Sequence, residues 1–317
     1  MRYIITALLT AIPGLAQAEV PAVVTDIPPV HALVAQVMGD LGQPTLLLAK
    51  GADEHDFQLR PSQAGAVADA DLVVWIGPEL TPWLDSALAG RPEGAAALAL
   101  LHAEGTALRA YATPTEDGGT DEHDEHAHDA HADEAAHDGH DHGAEDPHAW
   151  LDPDNARSWL GTIAGELSRL DPANAATYAG NARAAADRIT ATDAEIAALL
   201  APAKGKPIVT FHDAFGYFAD HYGLTLAGSI ALGDATSPGA ARLRDLRSDM
   251  AGGAVLCIFP EVQHDPALVS QMAEGTDARI GAALDPVGSS MEPGPEAYEA
   301  MLKAIGTAIA DCVTRPA

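Results

Sequence analysis

The sequence is poor in positive charge, in aromatic residues and in cysteine. Lys and Arg number 17 against 46 Asp and Glu, a formal net charge of −29 over 317 residues. Nucleic acid is excluded as a partner, because phosphate binding needs clustered Lys and Arg. No apolar run approaches the roughly 20 residues that a bilayer-spanning helix requires, so the chain is not expected to be membrane-inserted. Neither HExxH nor any other catalytic motif is present, and a metal hydrolase would need a general base beside its metal. The chain therefore does not read as an enzyme.

What is there begins with a targeting pattern. Met1-Arg2-Tyr3 is a short basic start, Ile4 to Leu15 is apolar, and Ala16-Gln17-Ala18 is the small-x-small pattern that signal peptidase accepts. Residues 1–18 are expected to be a signal peptide, with the mature chain starting near Glu19. No cysteine follows the cleavage pattern, which argues against a lipid anchor. The two cysteines of the chain, Cys257 and Cys312, suit an oxidising compartment, where a pair is expected to be bridged. Two separately buried thiols are the alternative.

Short β-like runs alternate with helical stretches along most of the chain. Residues 22–26, 45–48, 71–77 and 97–101 read as strands, and Pro29 to Met38 as an apolar helix. After residue 203, four more strands are expected at 207–211, 224–228, 254–259 and 279–284. Continuous apolar strands separated by helices indicate parallel sheets covered on both faces. Between the two sets, Asp171-Pro172 looks like a cap followed by proline at the first helical position. From there to Leu200 a stripe of Tyr178, Ala182, Ala185, Ile189, Thr192, Ile196 and Leu199 recurs at steps of four and three. About 30 helical residues make a rod of about 45 Å, long enough to cross the whole molecule. The expected fold is α/β, with two lobes that each hold a four-stranded, mostly parallel sheet, joined by one long backbone helix. The divisions are 19–170 for the first lobe, 171–202 for the helix and 203–317 for the second lobe. A continuous helix between the lobes argues against wide hinge closure.

Composition breaks sharply inside the first lobe. Residues 113–146 hold seven histidines and almost nothing apolar larger than alanine. Between Glu116 and Asp146 lie 13 acidic residues and no Lys or Arg. Such a segment cannot bury enough surface to offset its ordering entropy, so a disordered His/Asp-rich loop is expected over 113–146. It reads either as a solvated acidic tract or as a cluster of weak metal sites.

Of the seven remaining histidines, His55, His148 and His212 share a context. His55 sits in a turn after the second strand, His148 where the chain returns to order, and His212 directly after the strand 207–211. Open α/β sheets place their ligands just beyond the carboxyl ends of strands. Three neutral imidazoles suit Zn²⁺ and leave one tetrahedral position for water or a carboxylate. Their wide separation in the chain excludes a local zinc-finger motif. His31, His102, His221 and His264 lack this context and read as core or surface residues.

The strings GADEHDFQLRPS, DLVVWIGPEL, DPHAWLDP, VTFHDAFGYFA and LDPVGSS, in this order, resemble the zinc-specific periplasmic receptors of the metal-binding ABC solute-receptor family, the ZnuA type. The resemblance spans nearly the whole mature chain. It implies two lobes, a long connecting helix, a zinc ion in the cleft and a membrane ABC importer as partner. The family's zinc ligands fall on His55, His148 and His212. Glu54 matches a carboxylate that approaches the metal in zinc receptors, and Asp285 matches one supplied by manganese-binding relatives, so the fourth ligand is Glu54, Asp285 or water. The zinc branch often carries a disulfide, which Cys257 and Cys312 fit. Residues 227–232 lack the histidine that some relatives use for an auxiliary metal, so that site is not carried over. A periplasmic, monomeric zinc receptor is the expectation. A manganese or iron receptor of the same fold and a periplasmic zinc buffer are the alternatives.

Overall fold

The computed structural model describes residues 20–55, 57–111, 145–231 and 239–315. The expected signal peptide, and the expected loop except for Glu145 and Asp146, lie outside the described residues. Those two belong to the ordered fold, against the expectation for 113–146. Glu145 pairs with Ala110 in an antiparallel bridge, and Asp146 is fully buried.

All eight expected strands are present; six are trimmed, while the fourth starts one residue earlier and the sixth ends one residue later than expected. In the first lobe they are β1 (Val23–Thr25), β2 (Thr45–Leu46), β3 (Leu72–Trp75) and β4 (Ala96–Ala99). They form a wholly parallel sheet in the order β2-β1-β3-β4. The second lobe repeats this order as β6-β5-β7-β8, again all parallel, from β5 (Pro207–Thr210), β6 (Thr225–Ser229), β7 (Cys257–Ile258) and β8 (Arg279–Ile280). In both lobes the chain departs from one central strand to one edge and resumes on the other side.

The helices α1 (Pro28–Met38), α2 (Pro61–Asp69), α3 (Pro82–Leu88) and α4 (Pro153–Leu170) all open with proline at N1 or N2. There its preset φ favours the helix and its missing N–H costs nothing. Every residue of α1 is buried, so this helix is covered on all sides. Asp152 caps α4 by accepting from the Asp154 backbone N–H at 2.8 Å.

The long helix, α5 (Ala175–Leu200), starts later than expected. Pro172–Asn174 forms a single 3₁₀ turn, and the Asp171 carboxylate accepts from Asn174 Nδ2 and the Tyr178 hydroxyl instead of capping α5. Tyr178, Ala182, Ala185, Ile189, Thr192 and Ile196 are buried as the stripe requires, but the last member is Leu200, while Leu199 is 39% exposed. A helix drifts roughly 20° per seven residues against a strict heptad pattern. Over the three heptads from Tyr178 that lag accumulates to roughly 60°, and one more residue brings the side chain back towards the core.

Nor does α5 stand alone. It packs against α1 and α4 on the first-lobe side and against the C-terminal helix α9 (Ala297–Thr314) of the second. Gly306 of α9 allows the close approach, since a Cβ there would lie 3.1 Å from Ile196 Cγ2. Further bonds cross between the lobes. Trp150 Nε1 donates to the Pro286 carbonyl and the Tyr298 hydroxyl to the Trp150 carbonyl, both at 2.8 Å. Helix α6 (Gly216–Tyr222) contributes His221, held between Asp152 and Asp193 at 3.1 and 2.9 Å. These carboxylates push its pKa up to about 9, so the bridge is charged at neutral pH.

Cys257 of β7 and Cys312 of α9 are bonded across a sequence separation of 55. The bond ties α9, and through it α5, to the second sheet. Among the described residues no helix is long and apolar enough to cross a membrane. Replacing both cysteines with Ala is expected to lower the unfolding free energy by about 2–4 kcal/mol, read as a lower urea midpoint in the purified chain.

Candidate metal centre

The turn bearing Glu54 and His55 follows β2 and is pinned from α3, where Trp83 Nε1 donates to the Glu54 carbonyl at 2.9 Å. Phe57 packs edge-on against the same indole. His148 lies where the chain rejoins the first lobe, just before the 3₁₀ turn Ala149–Leu151 and α4. His212 comes two residues after β5, and Glu261 lies beyond the end of the adjacent strand β7. Since β5 and β7 are the neighbours from which the chain leaves in opposite directions, both residues sit at the crevice where such sheets bind ligands.

The structure brings the three sequence-predicted histidines together. Their ring centroids are 5.4, 6.0 and 5.3 Å apart, and one nitrogen from each lies within 4.8 Å of the other two. His148 Nε2 and His212 Nε2 are 3.4 Å apart. Two nitrogens at about 2.0–2.1 Å from one tetrahedral Zn²⁺ stand about 3.3–3.4 Å apart. Two of the rings are aimed by buried carboxylates: Asp146 Oδ1 lies 2.8 Å from His148 Nδ1, and Glu261 Oε2 lies 2.5 Å from His212 Nδ1. Each carboxylate also accepts the backbone N–H of its own histidine. A carboxylate at Nδ1 fixes the tautomer that leaves Nε2 with a lone pair.

Glu54 is close by: its Oε1 is 3.8 Å from His55 Nε2. Burial pushes its pKa up to about 7, partly offset by His212 and His148. Burial, followed by the neighbouring imidazoles of His148, His212 and His264, holds His55 well below the ordinary imidazole range. A neutral His55 can donate a lone pair to a metal. The space between Glu54, His55, His212 and Glu261 is about 10 Å³, room for one water-sized body.

Asp285 is absorbed elsewhere. Its oxygens accept from the backbone N–H groups of Ser289 and Ser290, from Ser290 Oγ and from Gln263 Nε2. It organises the turn after β8 instead of capping a helix or joining the histidines. Sequence reading missed Asp146, Glu261 and His264. Asp146 lies inside a recognised string but within the bounds expected for the loop, Glu261 lies outside every string, and His264 reads as a core or surface residue. Its ring is stacked on Phe211 at 4.3 Å and lines the same small space.

The sequence family described as "Zinc-uptake complex component A periplasmic" matches residues 23–312. A relative named high-affinity zinc uptake system protein ZnuA, from Paracoccus denitrificans, is 50% identical, covering 94% of this chain and 93% of its own. A protein of the same name from Yersinia pestis is 33% identical over 97% of this chain and 95% of its own. Among solved structures, a zinc-bound ZnuA deletion mutant has a TM-score of 0.72 at 23% identity, covering 94% of this chain and all of its own. A manganese complex of the binding protein FpvC from Pseudomonas aeruginosa has a TM-score of 0.76 at 20% identity, covering 93% and 98%. At these identities the structural likeness speaks for the fold.

Carboxylates that orient ligating histidines typically contribute 10–100-fold to metal affinity. Glu261→Gln is expected to weaken divalent-metal binding by about that factor without unfolding the chain. Calorimetric titration alongside a thermal melt checks it.

Proposed function

Because this chain belongs to the family of periplasmic zinc-uptake components, we propose that it is a periplasmic zinc receptor that delivers the ion to a membrane ABC importer. His55, His148 and His212 hold the zinc, residues 1–18 direct export, and the role is capture and transfer without chemistry on the ion. The observation that carries this reading is the convergence of three imidazoles, two with Nε2 atoms 3.4 Å apart. An all-imidazole set suits zinc, whereas Mn²⁺ prefers oxygen donors. That preference favours zinc over the manganese or iron alternative.

Glu54 or a water completes the tetrahedron. Asp285, whose oxygens are already occupied by four donors, is set aside. The seven histidines between residues 113 and 144 act as weak sites that raise the local zinc concentration beside the cleft. With α5 packed against helices of both lobes, delivery relies on ordering of the ligand-bearing loops more than on wide closure.

Zinc titration with a tenfold excess of manganese tests the proposal. The wild-type chain should bind one zinc tightly, and replacing His55, His148 and His212 with Ala should abolish that site. A tight site that survives in the triple variant, or that manganese displaces, overturns the assignment. Deleting residues 113–144 should lower the zinc stoichiometry to about one and keep the tight site. Extending the deletion through Asp146 removes the Asp146–His148 bond and should cost a further 10–100-fold in affinity.

The pH dependence separates Glu54 from water as fourth ligand. A carboxyl whose pKa is raised to about 7 is protonated below that pH and must lose its proton to bind metal. Zinc affinity should therefore rise with pH up to about 7 and then level. Glu54→Gln should bind more weakly and flatten the rise between pH 6 and 7.5. An unchanged profile assigns the position to water.

A further inference from the structure

Among the described histidines of the candidate centre, His264 has the most open side chain. Its side chain is 29% exposed, against 1% for Glu261 and 6% for His212. Its Nε2 lies 3.8 Å from Glu261 Oε2, and its ring centroid is 6.1 Å from that of His212. The ring is held in place by near-parallel stacking on Phe211, at 4.3 Å and 15°. His212, Glu261 and His264 each offer a ligand atom within 4.8 Å of the other two, so these donors form a second group that shares His212 with the first.

We infer that His264 and Glu261 form a transient zinc position at the mouth of the cavity, through which the ion reaches and leaves the three-histidine site. The inference rests on the zinc-receptor reading above. An ion enclosed by buried ligands does not shed them all at once. Zinc can instead expand to five ligands as it exchanges, provided that a new donor lies beside an old one. Glu261 has lone pairs beyond those engaged by His212, and His264 lies next to it on the solvent side. An incoming ion would rest on His264 and Glu261 before it reaches His55, His148 and His212, and release would run in reverse. An oxygen and a single imidazole make a weaker set than three imidazoles, as a transfer position requires.

A relay of this kind changes rates and leaves equilibrium affinity almost untouched. His264→Phe keeps an aromatic ring to stack on Phe211 and removes the donor nitrogen, and His264→Ala removes both. Zinc release from the full mature chain into excess chromogenic chelator, and zinc loading of the apo chain, are measured by stopped flow, with affinity from chelator competition. Both variants should load and release about tenfold more slowly, with dissociation constants within about threefold of wild type. Unchanged rates in His264→Phe overturn the relay. A loss of affinity beyond tenfold through faster release also overturns it, since His264 would then be a ligand of the resting site. A slow phenotype in Ala alone would assign His264 to packing. A wild-type chain without tight zinc binding overturns the relay together with the reading beneath it.

Discussion

The packing of α5 against helices of both lobes is the constraint on which the rest depends. Two separate four-stranded sheets have no reason of their own to present their strand ends to a common point. They do so because α5 lies against α1 and α4 on one side and α9 on the other, and α9 is bonded to β7 through Cys257–Cys312. A helix whose hydrogen bonds are intact resists bending. One that is also packed along its length is stiffer still. Histidines from three distant stretches of chain then meet within a few ångströms without a hinge to bring them there.

The site itself is shaped by what it costs to bury polar groups. A buried imidazole or carboxyl without a partner is expensive, and here the partners do more than satisfy their neighbours. Asp146 orients His148 and is in turn held by Arg109, whose Nη1 lies 3.1 Å from Asp146 Oδ2 and whose Nε lies 3.0 Å from Asp220 of α6. The Tyr217 hydroxyl, also from α6, donates to the Asp146 carbonyl at 3.0 Å. The first-lobe His148 is thus aimed by a group that the second lobe grips. Glu261 does the corresponding work for His212 within the second lobe. His55 and His212 line a space for one small body, and His148 lies beside them.

Much of the fold was legible because buried parallel strands and amphipathic helices leave periodic traces in the sequence. DLVVWIG could hardly be anything but a strand covered on both faces, and the stripe from Tyr178 to Ile196 named the face of α5 before any packing was known. Where the reading slipped, the cause lay in geometry that no local pattern carries. Leu199 and Leu200 are equivalent as residues, and only the accumulated drift of the helix decides between them. Helix α4 leaves a fainter trace than the longer rod, although Asp152 caps it.

Sequence alone determined the class of fold, the cysteine pair and the three histidines that meet, because each of these is written in residue type and local order. Tertiary structure decided which carboxylates serve those histidines. Asp146 and Asp285 both stand beside a proline in similar strings, yet one aims a buried ring and the other caps a turn. Glu261 and His264 carry no motif at all. Their place at the cavity follows from the neighbouring positions of β5 and β7, and adjacency of strands is a property of the folded chain, set by long-range pairing that local sequence does not encode.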